Sequence, residues 1–404
     1  MTKPNRNYWI SFIFLSIVGV TLYFGGCTHD DQDLDEFIPP DGVTINDKEL
    51  ISKKVTAPPS VDGVIDALWD DASPLVITAT VPDPGQNVFR GYVGNTNRMT
   101  MRSLYDNENL YILAEWSDNS LSQNRETWYF DAAAKRWKQE NRYPTFNANG
   151  QMTRPAVYED KLAMLWNVNN SVAGWNNATW NISCHKDLSA AEGLARHYTN
   201  AASERIDMWH WKSIREGVWG IVDDQYQDNT TPNGRKSDPK ISGSYSDNVQ
   251  ELTITGSTDK VKVPKYFIPG KTNYYWITKD EIDNGAAKLI TGVDADGVLV
   301  YEGGSLDPGA DVDFMRDGVT TGSKCIPSIY TEKVTGNRGD ITGKFTYTGS
   351  GWVMEIQRKL KTEDVDNVDV DFSSLADQYF GIGIFDNSAI AHAIKMNLVL
   401  KFEQ

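Results

Sequence analysis

Histidine and cysteine are the side chains with which this chain could most readily bind a metal ion, and both are scarce. The 404 residues include five His and three Cys. Histidine is the commonest protein metal ligand, and a cysteine can bind a metal, form a disulfide or carry a lipid. The sequence contains no Ser–His–Asp signature, no Gly-x-Ser-x-Gly, no P-loop and no zinc motif.

The charge balance limits the class of partner. The chain has 39 basic and 55 acidic side chains, a formal net charge of −16. Nucleic-acid binding needs a basic surface that neutralises phosphates, so DNA and RNA are not expected partners. The acidic run at 294–297 lacks the Glu that completes an EF-hand loop, which favours a solvated turn over a calcium loop.

The elements that must position any site are predicted to be strands. Short apolar or alternating runs, broken by Gly, Asn, Asp and Pro, occur at 110–116, 352–356, 380–385 and 397–402. This pattern predicts an all-β fold, a β-sandwich with long loops and a few short helices. The best helix candidate is 188–202, with Asp187 as its N-cap. Residues 225–260 are polar and are predicted to form a long surface loop.

The N-terminus indicates export. Lys3 and Arg6 precede an uncharged stretch at 8–24, and Gly25-Gly26-Cys27 follows. A basic start, an apolar stretch and small residues are typical of a secretory signal. The small pair before Cys27 resembles a bacterial lipobox, in which the cysteine is lipidated, although Phe24 replaces the usual aliphatic residue. The alternative is an uncleaved membrane anchor, because 17 residues is near the lower limit of a span.

These observations divide the chain into three parts. We expect a lipoprotein signal peptide at 1–26, an acidic tether at 27–57 and one folded domain at 58–404. The mature protein is then extracytoplasmic and membrane-anchored, on the periplasmic or the cell-surface side. His29 lies in the tether and is expected to have no function.

Two segments of the folded part resemble known sandwich modules. Residues 61–69 and 110–118 are similar to segments of family 9 carbohydrate-binding modules and of the haem-binding subunit of ethylbenzene dehydrogenase and its relatives. The run Asp-Met-Trp-His-Trp-Lys at 207–212 and the closing segment 380–395 favour the second group. The resemblance spans about 58–404, with a poorly matching stretch from about 225 to 320.

The resemblance implies a function. Members of that family hold one haem between loops at one end of a β-sandwich and move electrons without turning over a substrate. The haem of the best-known members is b-type and is held by Met and Lys. The resemblance therefore implies an electron carrier, not an enzyme, whose partners are redox proteins such as a molybdenum enzyme. Two alternatives stay open: a carbohydrate-binding lipoprotein of the family 9 type, and a haem-free relative that keeps the scaffold.

The preferred axial pair is His197 and His392. A haem iron takes axial donors from different segments that face each other across an apolar slot. His197 lies where relatives often place a Met, and His392 lies on the segment that supplies their C-terminal ligand. Lys395 is the alternative to His392, but a lysine ligates only when it is neutral. Otherwise His197 is a surface residue on a short helix, and His392 and Lys395 lie in an exposed turn.

Cys184-His185 departs from the family patterns. Residues 181–185 have the frame of Cys-x-x-Cys-His, with Asn181 at the first cysteine, so at most one thioether can form. A b-type haem is therefore favoured, and a single-thioether c-type haem through Cys184 is possible. A disulfide between Cys184 and Cys325, or a free thiol, is preferred to the thioether. His185 remains a less favoured axial candidate.

The run at 207–212 is predicted to be extended. Alternation then places Trp209 and Trp211 on one face, in the sandwich core or against the porphyrin. His210 and Lys212 would lie on the opposite face, towards solvent or a haem propionate. Met164 alternates within another strand, where packing in the core is its expected role.

Overall fold

Strands make up most of the regular structure. The computed structural model describes residues 47–184, 197–316 and 322–403. The strands in these residues are β1 Glu49–Lys54, β2 Leu75–Thr80, β3 Thr96–Tyr105, β4 Asn109–Ser117, β5 Trp128–Asp131, β6 Arg136–Gln139, β7 Thr145–Phe146, β8 Met152–Arg154, β9 Lys161–Asn167, β10 Ile206–Lys212, β11 Ile221–Gln227, β12 Arg235–Ser237, β13 Ser242–Asp247, β14 Gln250–Thr253, β15 Lys260–Val263, β16 Tyr266–Phe267, β17 Ile277–Thr278, β18 Lys288–Val293, β19 Leu299–Tyr301, β20 Gly304–Leu306, β21 Met315–Arg316, β22 Ile329–Thr335, β23 Ile341–Tyr347, β24 Gly351–Lys359, β25 Gln378–Phe385 and β26 Ala393–Phe402.

Helices in the same residues are short. The α-helices are α1 Trp175–Ala178 and α2 Lys279–Asp283, and the 3-10 helices are Ala67–Asp71, Asn87–Phe89, Val168–Asn170, Thr179–Ile182, Gly217–Trp219, Val312–Phe314 and Asn337–Gly339. No helix in the described part of the chain is long and apolar enough to cross a membrane. The expected all-β sandwich with a few short helices is confirmed.

The largest sheet closes on itself. Its strands follow the order β1-β26-β2-β3-β4-β24-β23-β11-β10-β9-β25, with β12 paired to β11. Strand β25, the last in this order, also pairs with β26, the second, and this pairing closes the sheet. The sequence run at 207–212 becomes β10, which lies antiparallel between β9 and β11.

The interior of the closed sheet is filled by apolar side chains. Trp209 and Trp211 of β10 are 1% exposed and belong to this core, as the alternation predicts. The rings of Trp166 and Phe380 stack with centroids 4.6 Å apart. Met164 is also in this core, which confirms its expected role. Burying such large aromatic side chains is a main source of stability in a fold of this kind.

The folded domain begins before the expected boundary at residue 58. Glu49–Lys54 form β1, which runs parallel to β26 and to β3 inside the main sheet. The alternating burial of β1, with Leu50 fully buried, shows why this segment joins the sheet. The expected tether at 27–57 is therefore too long at its C-terminal end. Residues 1–46, with the expected signal peptide, His29 and the lipidation site Cys27, lie outside the described residues.

The stretch at 225–260 is not a loop. After β11 it contributes β12, β13, β14 and β15, and neighbouring residues add small sheets. An apolar cluster that includes Trp128, Trp137 and Leu299 holds these small sheets together. The predicted helix at 188–202 is wrong for 197–202, which contain no helix, and 185–196 lie outside the described residues.

Candidate functional site

A cavity of about 330 Å³ lies on the face of β10 that points away from the aromatic core. Strands β9, β10 and β25 supply side chains to it, and segments near 142–158, 180–184, 232–235 and 389–392 add others. The described lining residues are Phe89, Arg142, Tyr143, Tyr158, Lys161, Leu165, Trp180, Cys184, His197, Met208, His210, Arg215, Gln227, Pro232, Asn233, Arg235, Phe385, Ala389, Ile390 and His392.

The two histidines preferred from sequence line this same cavity. His197 and His392 are 195 residues apart in the chain, and the fold brings them to one site. His197 is half-buried, and its carbonyl accepts a hydrogen bond of 2.6 Å from the backbone N–H of Gly234. This bond ties the His197 segment to the loop before β12. The alternative placement of His392 in an exposed turn is excluded, because His392 is 4% exposed.

His392 is held in one tautomer. Its Nδ1 lies 2.6 Å from the carbonyl oxygen of Ile390, which can only accept, so Nδ1 carries the proton. Its Nε2 accepts a hydrogen bond of 3.0 Å from the indole N–H of Trp180. An imidazole that donates one N–H to a backbone carbonyl is the usual state of a metal-ligating histidine, because the other nitrogen then presents its lone pair. His392 therefore has the orientation of a ligand.

His210 is a wall of the cavity and does not face solvent. It is 3% exposed, and its Nδ1 lies 3.2 Å from Oε1 of Gln225. Its Nε2 has no hydrogen-bond partner among the described residues. Burial, reinforced by the nearby Lys212 cation, holds the pKa of the His210 imidazole well below its usual value. The ring is therefore neutral, and Nε2 offers a lone pair towards the cavity.

The other predicted cofactor contacts lie elsewhere. Trp209 and Trp211 are in the aromatic core and are absent from the described cavity wall. Lys212 is also absent from it, because its ammonium is buried in ion pairs with Asp223 and Glu216. Lys395 is half-buried on β26, pairs in register with Ile382, and does not line the cavity. His185 lies outside the described residues.

The two cysteines do not form the disulfide that was one of their two expected states. Cys184 and Cys325 are both buried and are not bonded to each other. The Sγ of Cys184 lies 3.6 Å from Nε2 of His392, whereas the thiol of Cys325 donates to the carbonyl of Tyr274. Burial raises the pKa of Cys325 to about 11, so it stays protonated. Each thiol is fixed in a different part of the structure, which is why the two cannot pair.

Trp180 is a residue that the sequence reasoning missed. Its ring packs over β25 so closely that a Cβ added at Gly383 would meet it at 2.5 Å. A Cβ at Gly381 would likewise meet the backbone nitrogen of Trp180 at 3.1 Å. The glycines interleaved in the 380–385 run are the signal for this close approach. They allow Trp180 to reach Nε2 of His392.

The cavity wall is basic although the chain is acidic. Lys161, Arg142, Arg215 and Arg235 line it, and no Asp or Glu is among its described lining residues. The Nε of Arg215 lies 2.5 Å from a carboxylate oxygen of buried Glu159. Burial holds the pKa of the Lys161 ammonium well below its usual value. An apolar pocket with basic groups at its edge suits a flat apolar ligand that carries carboxylates.

The chain matches one protein family over most of its length. The family described as ethylbenzene dehydrogenase matches residues 66–396. No curated protein matches the chain. Among solved structures the chain is similar to a family 9 carbohydrate-binding module from Caldicellulosiruptor kristjanssonii, in complexes with glucose and with cellotriose. Each is 9% identical, and the alignments cover 88% of this chain, and 96% and 94% of theirs, with TM-scores of 0.28 and 0.29. At these scores the likeness carries no argument about ligands.

Proposed function

The chain belongs to the ethylbenzene dehydrogenase family, and from that premise we propose that it is a lipid-anchored, extracytoplasmic haem protein that transfers single electrons. The observation that carries this proposal is the cavity on β10. It collects His197, His210 and His392 from three distant segments of the chain. A bound haem would supply one-electron chemistry at its iron, and the chain would supply the axial donors and the surrounding walls.

The donor atoms present suit a haem iron. His210 has a buried Nε2 without a partner among the described residues, and the Nδ1 proton of His392 is already fixed on a backbone carbonyl. Met208, next to His210 on the same face of β10, adds a thioether to the wall. Histidine and methionine are the common axial ligands of electron-transfer haems. This donor set favours haem over a hard cation, which prefers oxygen ligands.

We propose His392 and His197 as the axial pair. His392 would release the indole N–H of Trp180 and present its Nε2 to the iron. His210 is the competing partner of His392, because its Nε2 is free of hydrogen bonds. The ring of Phe385 packs against both His210 and His392, with centroids 5.8 and 4.5 Å away. Because Phe385 lies beside both rings, it leaves less room for an iron bound by His210 and His392 together. We therefore prefer His197 to His210 as the second axial donor.

The basic residues would hold the propionates. Arg235 is exposed at the cavity wall, while Arg215 is already paired with Glu159. A guanidinium binds a carboxylate with two parallel hydrogen bonds, which makes Arg235 the preferred propionate partner. Lys161 would not bind a propionate. Its Nζ donates to the carbonyl of Ala389 at 2.9 Å and so links β9 to the segment before β26.

The protein is proposed to carry electrons and not to catalyse a reaction. Its partners would be redox proteins, with a molybdenum enzyme as in the family's dehydrogenases among the candidates.

Lipidation at Cys27 would keep the protein at the membrane. Cys27→Ser in the full chain is expected to abolish lipid labelling and to release the protein from membranes. Retention of the unlabelled variant would indicate an uncleaved helix instead.

The family 9 type of sugar binding is the second candidate, and the placement of tryptophan weighs against it. Of the twelve Trp in the described residues, ten are buried and the other two, Trp219 and Trp276, are half-buried. Sugar rings stack on exposed aromatic faces, so a solvent-facing platform of Trp is missing from the described part of the chain.

The visible spectrum of the purified full chain tests the proposal. We expect a Soret band, bands that sharpen on reduction, and a pyridine haemochrome of the b type. Acid-acetone should extract the haem, because two thioethers are impossible here. Haem that survives denaturing electrophoresis would show a covalent link through Cys184. A protein that stays colourless after incubation with haemin would contradict the proposal and favour a haem-free scaffold.

A further inference from the structure

A second group of polar residues lies on the other face of β10. Asp207 of β10, Asp224 of β11 and Asp369 have carboxylate oxygens that all lie within 4.8 Å of one another. Asp224 is opposite Trp209 in the strand register, so this group faces the interior of the closed sheet. It takes no part in the cavity described above, whose lining residues do not include these three.

These carboxylates are buried and poorly satisfied. Asp207 and Asp224 have no exposed surface, and Asp369 is 6% exposed. Both oxygens of Asp224 have no hydrogen-bond partner among the described residues, and the same holds for Oδ1 of Asp207 and Oδ1 of Asp369. A buried carboxylate without partners is costly, so each such oxygen needs an explanation.

Asp238 adds an independent observation. It lies outside the group of three and is 3% exposed. Its carboxyl interacts electrostatically with Asp369 and Asp207, which places it against the cluster. Its backbone N–H donates to the carbonyl of Asp224 at 3.2 Å, which fixes its position beside β11.

Too little positive charge is present to neutralise four carboxylates. Arg358 lies 3.4 Å from both Asp207 and Asp369. The backbone N–H of Val370 donates to Asp207 at 3.0 Å. If all four carboxyl groups ionised, one guanidinium would leave three negative charges uncompensated in a low-dielectric interior, which a bound cation would offset.

We propose that Asp207, Asp224 and Asp369 bind one divalent cation of the calcium class, with Asp238 beside them. Calcium takes six to eight oxygen ligands at about 2.3–2.6 Å, so oxygens on one ion lie up to about 5 Å apart. The 4.8 Å spread of the three-carboxylate group fits that limit. Magnesium fits less well, because it keeps several waters and the residues here are almost fully buried. The ion would tie β10 and β11 to the segment that contains Asp369.

The second acidic group of the molecule is different. Asp118, Asp160 and Asp386 also bring their oxygens within 4.8 Å. There, both oxygens of Asp160 accept backbone N–H groups, from Ser122 at 2.8 Å and from Asn387 at 2.9 Å. Because backbone donors already occupy the central carboxylate, the structure assigns no cation to that group.

Terbium luminescence in the full chain tests the site. Terbium replaces calcium at oxygen sites and emits when a nearby indole is excited, and Trp209 lies opposite Asp224. We expect sensitised emission from the wild type that excess calcium displaces. We also expect the melting temperature to rise with calcium over that with chelator, on the order of 5 °C. Asp224→Asn keeps the shape of the side chain and should abolish both effects.

The control is Asp366→Asn, which makes the same change at an exposed residue three positions before Asp369. It should keep the emission and the calcium shift of the wild type. The proposal is overturned if wild-type stability does not respond to calcium, or if Asp224→Asn binds terbium as the wild type does. Should Asp224→Asn fail to fold, the calcium response of the wild type alone decides the question.

Discussion

The two faces of β10 are built for different purposes. The face with Trp209 and Trp211 packs into the aromatic core, and the Arg358 guanidinium lies over the Trp209 ring, 5.3 Å from its centroid, beside the buried carboxylates. The face with Met208 and His210 borders a cavity with basic groups on its wall. Alternation along seven residues therefore separates a core-packing surface from a cavity-lining surface. Trp209 and Trp211 pack inside the closed sheet, whereas Met208 and His210 line the cavity.

The largest effect is expected on the core face. Trp209→Ala should lower the free energy of unfolding by about 3–5 kcal/mol, because it removes a fully buried indole and leaves a hole. Trp209→Phe, which keeps an aromatic ring, should cost less. Chemical denaturation of the haem-free protein measures both values. If Trp209→Ala were as stable as the wild type yet bound no haem, Trp209 would belong to the cofactor site. The assignment of this face of β10 to the core would then be wrong.

The next effect concerns the ion pair behind the cavity. Arg215→Met should destabilise the protein by about 3 kcal/mol, because buried Glu159 loses its 2.5 Å partner. Arg125, whose Nε lies 3.8 Å from Glu159, would only partly replace it. Arg235→Met, at the exposed wall residue, is the control and should change stability by less than about 0.5 kcal/mol. If both variants lost the same free energy of unfolding, Arg215 and Arg235 would contribute equally to stability, and the ion pair with Glu159 would have no special role.

Removal of an axial donor should weaken haem binding and change the haem spectrum, and it should affect the stability of the fold less. His392→Ala is expected to convert a low-spin haem spectrum to high spin and to weaken haemin binding about ten- to a hundredfold. His197→Ala should do the same. His210→Ala should leave the spectrum low-spin, because His210 is not in the proposed pair. If His197→Ala kept the low-spin spectrum and His210→Ala lost it, His210 would replace His197 as the second ligand.

The smallest effect is a pH dependence. His210 is neutral in the folded protein because its pKa is held below the usual 6.5, so the unfolded chain binds more protons below that pH. The haem-free wild type should therefore lose stability as the pH falls below about 6.5, by about 1 kcal/mol at pH 5.5. His210→Gln should not show this loss, since Gln keeps a donor for Gln225. Parallel pH curves for the two proteins would contradict the buried neutral state of His210.

The sequence predicted the core face better than the cavity face. Strand alternation alone was enough to place Trp209 and Trp211 together in the core. The position of His210 depends on segments far away in the chain, such as 389–392, that cover the outer face of β10. No local pattern reports such coverage, and so His210 was expected to face solvent or a propionate.

Other misses have the same origin. Strand β1 was assigned to the tether because its two apolar residues, Leu50 and Ile51, are adjacent and set up no apolar alternation. It lies in the sheet through its pairing with β26 and β3. A disulfide between Cys184 and Cys325 was one of two expected states, and it was suggested by the lack of other cysteines, which says nothing about the distance between them. By contrast, the family resemblance singled out His197 and His392, which line one cavity, and composition or periodicity alone would not have done so. Their role as an axial pair stays a prediction.

Blocking the cavity tests the central claim most directly. Leu165 of β9 lines the cavity opposite Met208 in the strand register and cannot ligate iron. Haemin titration of the full chain, followed at the Soret band, should give stoichiometric binding for the wild type and for Leu165→Ile, which conserves volume and adds no ligand atom. Leu165→Trp, which narrows the cavity, should bind haemin at least tenfold more weakly. Equal binding by Leu165→Trp and the wild type would show that haem does not occupy this cavity.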